Sequence, residues 1–65
     1  MNRDLDTMSP EDRRTVVRDT VASVFEALDA GDRDAAEVNL MHCYHRGARA
    51  VELLEAIVEH IGGRR

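Results

Sequence analysis

The chain has no lysine and no tryptophan, one proline, one cysteine, and only two aromatic residues, Phe25 and Tyr44. Each shortage excludes something. A lone cysteine, Cys43, cannot form an internal disulfide, and a thiol left unpaired fits a reducing compartment. With so few rings, packing falls to aliphatic residues and alanine, which suit close helix–helix contact better than a roomy ligand cavity. No long apolar run is present, so neither a membrane-spanning helix nor a signal peptide is expected. The opening Met-Asn-Arg-Asp-Leu-Asp stretch is charged and resembles no targeting segment. These readings predict a cytoplasmic protein with no membrane partner.

Positive charge is also scarce. Thirteen acids outweigh nine bases, all arginine, for a net charge of −4. Such a chain lacks the broad positive field of a typical nucleic-acid binder. Arginine does grip phosphate bidentately where lysine cannot, so a local basic patch stays open as a second reading.

Sixty-five residues make one domain. A chain of this length buries only about 60% of its unfolded surface. A single core of this size rarely contributes more than about 3–5 kcal/mol, so small domains add disulfides, a metal or association. With no disulfide and few metal ligands, association is the expected support.

What the sequence does have is helical rhythm. Ala36, Leu40, Cys43, Gly47, Ala50, Leu54, Ile57 and Ile61 follow at alternating spacings of four and three, the ladder of a bundle or coiled-coil helix. Val17, Val21, Val24 and Leu28 repeat it earlier, with Phe25 beside them. Ser9, Pro10, Glu11 and Asp12 mark a helix start: a hydroxyl cap, a proline that sacrifices no bond, and acids at the positive helix end. Gly31 can end that helix and Asp32 can cap the next.

The expected fold is therefore all-α, an antiparallel helical hairpin. A flexible lead-in covers 1–8, the hairpin 9–63 and a basic tail 64–65. Its helices run over about 10–29 and 33–61, joined at 30–32 and ended by Gly62-Gly63. Core positions are Val17, Val21, Val24, Phe25, Leu28, Leu40, Cys43, Tyr44, Ala50, Leu54, Ile57 and Ile61. The apolar arc of the second helix is too wide for one partner. Met41, Tyr44, Gly47, Ala48, Val51 and Val58 make a candidate self-interface, through which two hairpins would form a homodimeric four-helix bundle. Glycine inside a helix costs about 1 kcal/mol, and Gly47 among small neighbours suggests close backbone approach.

Candidates for chemistry are few. His42 and His45 share a helix face, but Cys43 projects away from them, and a zinc site needs three or four converging ligands. Cys43 at a core position reads as a small hydrophobe, without the electropositive setting of a reactive thiol. No paired carboxylates, catalytic triad or phosphate-binding loop is present, so no enzyme, cofactor or metal is expected. His42, His45, Arg46 and Arg49, with Arg18 from the first helix, form a candidate interaction surface for nucleic-acid phosphates or an acidic protein. The leading expectation is a non-enzymatic interaction or regulatory module acting through protein–protein contacts. The alternative is a small dimeric nucleic-acid-binding regulator using the His/Arg face. No motif carries a family resemblance.

Overall fold

Ser9 adopts extended backbone and its Oγ accepts the Asp12 N–H at 3.2 Å, which starts the first helix at Pro10. A computed structural model of the chain describes residues 3–63. Its described residues form a 3₁₀-helix, Asp4–Thr7, and three α-helices with no strand: α1 Pro10–Asp29, α2 Arg33–His45 and α3 Ala50–Gly63. The basic tail expected at 64–65 lies outside the described residues, as do positions 1 and 2 of the lead-in.

One backbone motif ends both α1 and α2. After α1, Gly31 has a φ of 76°, its N–H donates to the Leu28 carbonyl, and the Asp32 N–H donates to Ala27 O at 2.8 Å. After α2, Gly47 has a φ of 116°, its N–H donates to Tyr44 O, and the Ala48 N–H donates to Cys43 O at 3.2 Å. This is the paired-bond terminator that satisfies carbonyls left over at a helix end, and its positive φ favours glycine. Asp32 then caps α2, its Oδ1 accepting the Ala35 N–H at 3.0 Å.

The single helix expected over 33–61 is thus two helices. At Gly47 the chain turns. The break also resets the helical phase. In a continuous helix Leu53 would lie roughly 80° away from the Cys43 direction, yet both are buried in one core. That core gathers Leu5, Val17, Val21, Cys43, Ala48, Leu53 and Ala56, with Met8, Val16, Phe25, Leu40 and Ile57 packed against it. Ala36 is buried as well. No charged or polar side chain among the described residues is buried.

Several core assignments change as a result. Val17, Val21 and Cys43 are buried, and Val24, Phe25, Leu40 and Ile57 are half-buried. Leu28, Tyr44, Ala50, Leu54 and Ile61 are exposed, because the ladder that contained most of them no longer runs along one rod. Leu53 and Ala56 take their place.

The lead-in is also more than a loose end. Leu5 has no exposed surface at all. Its N–H donates to Arg46 O at 3.1 Å, stitching the 3₁₀-helix to the α2–α3 turn. Leu5 and Met8, the two apolar residues among charged neighbours, draw the segment inward. A core this small gains a large fraction of its burial from one leucine.

The helices do not close into a full bundle. α1 packs on both α2 and α3, while α2 and α3 barely touch. The molecule measures 32 × 25 × 15 Å.

Candidate interaction surface

The polar side of the molecule is organised by two arginines far from their partners in sequence. Arg13, on α1, uses all five of its N–H donors. Nε and Nη2 grip the two carboxylate oxygens of Glu52 at 2.7 and 2.6 Å; Nη2 also reaches Gly47 O at 2.7 Å; Nη1 reaches Leu5 O at 3.0 Å and Asp6 Oδ1 at 3.3 Å. One guanidinium therefore ties together α1, the 3₁₀-helix, the α2–α3 turn and the first turn of α3. Glu52 Oε1 further accepts the Arg49 N–H at 2.9 Å, so the same carboxylate caps α3.

Arg46 is the second clamp. Its Nε and Nη2 meet the two oxygens of Asp4 at 2.9 and 2.6 Å. Both clamps are fork-to-fork pairs with the geometry that makes such bonds stronger than single contacts.

Ionisation follows the pairing. The hydrogen bond from Arg13 outweighs the desolvation of Glu52 and lowers its pKa from 4.5 to about 2. Arg46 likewise holds the Asp4 carboxyl below its usual range, and Arg3, then Arg13, do so for Asp6. The two clamp arginines are shifted the other way, Arg13 by Glu52 and Arg46 by Asp4.

The His/Arg face of the sequence is only partly assembled. Arg46 faces Asp4, and Arg18 shares Glu59 Oε1 with Arg14 at 3.4 and 3.2 Å. His42, His45 and Arg49 are exposed, and the His45 ring meets the Tyr44 ring edge-on with centroids 6.1 Å apart. Arg46 and Arg18 are thus ion-paired within the chain, and His45 has a ring contact there. Arg13, Glu52 and Asp4, which matter most to the site, escape sequence reasoning because 39 and 42 positions separate the paired residues. The one local signal was Glu52 three residues after Arg49, the spacing of a carboxylate that bonds back to the helix start.

The proposed self-interface divides as well. Gly47 and Ala48 are buried within the protomer. A Cβ on Gly47 would stand 2.8 Å from Asp6 Oδ1 and 3.6 Å from Leu5 Cβ, so the close approach it permits is to the 3₁₀-helix of its own chain. Met41, Tyr44, Val51 and Val58 stay exposed. With Val38, Leu28, Leu54 and Ile61 they make eight large apolar side chains with 48–62% of their surface in solvent.

A groove between α1 and α3, about 690 Å³ in volume, has Arg13, Arg14 and Arg18 on one wall and Glu52 and Glu59 on the other. Cys43 is buried. Among the described residues no group of three His, Cys, Asp or Glu gathers as metal ligands would. None of the described helices is long and apolar enough to cross a membrane. Comparison with protein-family models, with curated proteins and with solved structures finds no match.

Proposed function

We propose that this protein is a small non-enzymatic interaction module with a regulatory role, working through protein–protein contacts and associating with itself. The observation that carries the reading is the imbalance between its core and its surface. The buried core holds only four large aliphatic side chains, Leu5, Val17, Val21 and Leu53, beside three alanines and a cysteine. Among the described residues, eight large apolar side chains have 48% or more of their surface in solvent. Large apolar side chains left in solvent in this number support a docking role.

In this reading pairing of two chains supplies the burial that one lacks. The phosphate-binding alternative has less support: with Arg18 and Arg46 facing Glu59 and Asp4, it rests on Arg49 and two histidines. A hydrophobic dye that fluoresces on apolar surface tests the proposal. Dilute folded protein should light the dye strongly, and the signal should fall as protein concentration rises and the face is covered. A dye that stays dark at every concentration while the far-ultraviolet circular dichroism remains helical would sink the reading.

A further inference from the structure

Leu5 is gripped in the way a protein grips a bound peptide. Its side chain has no exposed surface. Its N–H donates to Arg46 O at 3.1 Å, and its carbonyl accepts from Arg13 Nη1 at 3.0 Å. The carboxylates on either side of it are held as well, Asp4 by the Arg46 fork at 2.9 and 2.6 Å and Asp6 by Arg13 Nη1 at 3.3 Å. A buried apolar anchor, main-chain bonds on both polar groups and arginines for the flanking acids are the means of reading a short acidic segment.

The groups that do the reading lie outside the segment. Arg13 belongs to α1, and Arg46 and Gly47 to the α2–α3 turn, where the missing Cβ leaves the room that Asp6 occupies. The segment itself is a single 3₁₀ turn, Asp4–Thr7, too short to hold its shape alone. It joins α1 through Met8 and Ser9, both in extended backbone. Lifting it away leaves the Ser9 cap of α1 in place. The side chains of Asp4, Arg46 and Asp6 keep 32%, 30% and 45% of their surface in water, so the ionic part of the contact lies at a rim where it exchanges with solvent.

We infer that the Leu5 socket is a peptide-binding site kept closed by the chain's own residues 3–8, and that it takes from a partner protein a segment of the same chemistry, a leucine between two carboxylates. This rests on the interaction-module reading above and gives the partner its chemistry. The charge match is the basis for that choice: the socket offers two arginines to an occupant with an acid on each side of its anchor. The tethered segment competes at high effective concentration. Affinity for a partner is therefore reduced by the fraction of time the socket stands open.

The probe is a synthetic peptide with the sequence of residues 2–8, Asn-Arg-Asp-Leu-Asp-Thr-Met, added to the full chain carrying Leu5→Ala. At about 1 mM peptide the melting temperature of this variant should rise by about 5 °C, while that of wild type hardly moves. The same peptide with Leu5→Ser, or with Asp4→Asn and Asp6→Asn together, should have little effect. If Leu5→Ala is too unfolded to melt cooperatively, the full chain with Asp4→Asn/Asp6→Asn replaces it. Labelled peptide should then bind that variant about tenfold more tightly than wild type by fluorescence anisotropy. Peptide that neither shifts the melt nor binds overturns the socket, and a wild type that still lights the hydrophobic dye leaves the interaction module standing without it. A dark dye with specific peptide binding removes the apolar-face reading and leaves the socket. A wild-type dimer in sedimentation equilibrium that Asp4→Asn/Asp6→Asn abolishes makes a second copy's segment the occupant and overturns the assignment to a partner protein.

Discussion

The turns at Gly31 and Gly47 share a pattern of backbone bonds and a glycine at positive φ, yet they sit in opposite surroundings. Around Gly31 a Cβ would meet nothing within 4 Å; around Gly47 it would strike Asp6 Oδ1 and touch Leu5 at van der Waals distance. The first turn is an exposed corner joining α1 to α2. The second is buried, bonded to Arg13 through its own carbonyl, and roofed by the 3₁₀-helix. Local chemistry stops a helix equally well in both places. Tertiary contact decides how much the stop matters to the rest of the fold.

The strongest way to sharpen this contrast is to remove the residue beneath the second turn. Leu5→Ala deletes a wholly buried side chain and should cost about 3 kcal/mol. Against the ~3–5 kcal/mol available to a core of this size, only about 0–2 kcal/mol remains, and the melting temperature should fall steeply. Thermal melting followed by circular dichroism measures it. A melting temperature within a few degrees of wild type would mean that the 3₁₀-helix is an ornament on an independently stable helical core.

The glycines themselves come next. Gly31→Ala should cost about 1 kcal/mol, the ordinary penalty of a left-handed conformation. Gly47→Ala adds displacement of Asp6 from its bonds with Arg3 and Arg13 and should cost about 2 kcal/mol or more. Equal losses in urea titrations would erase the distinction between the two turns.

The same pair shows how far the sequence could be read. Ser9, Pro10, Gly31 and Asp32 are local signals, complete within four or five residues, and the structure uses each as capping chemistry requires. Gly47 carries equal potential to end a helix, but the apolar ladder runs through it at an unbroken four-three rhythm. Periodicity and capping conflict there, and periodicity alone favours one long rod. What tips the balance is non-local: Leu5 and Asp6 fill the space beside Gly47, and Arg13 takes its carbonyl. None of those contacts has a sequence signature. Leu5 amid Arg3, Asp4 and Asp6 looks like a charged tail until the turn that receives it is known. The candidate surface suffered likewise, since the faces of α3 cannot be placed until the break has set its phase.

The smallest expected effect isolates the clamp that joins the two ends of this argument. Glu52 has a pKa of about 2 in the folded chain, against 4.5 for an ordinary glutamate, because Arg13 hydrogen-bonds its charged form. A lowered carboxylate pKa stabilises the fold fully above about pH 4.5 and progressively less as pH falls toward 2. Glu52→Gln keeps an acceptor for the Arg49 N–H but removes the charge that Arg13 meets. At pH 7 it should cost about 1 kcal/mol, the scale of a well-formed but partly exposed pair. Between pH 4.5 and 2 its stability curve should approach that of wild type. Asp4 pairs with Arg46 in both proteins and its contribution cancels, so the difference between the curves belongs to the Arg13 cluster, Glu52 with Asp6 beside it. A gap that stays constant with pH would show that the Glu52 side chain acts through shape and capping alone. The buried turn would then owe its rigidity to Leu5 and the backbone, with Arg13 no more than a spectator.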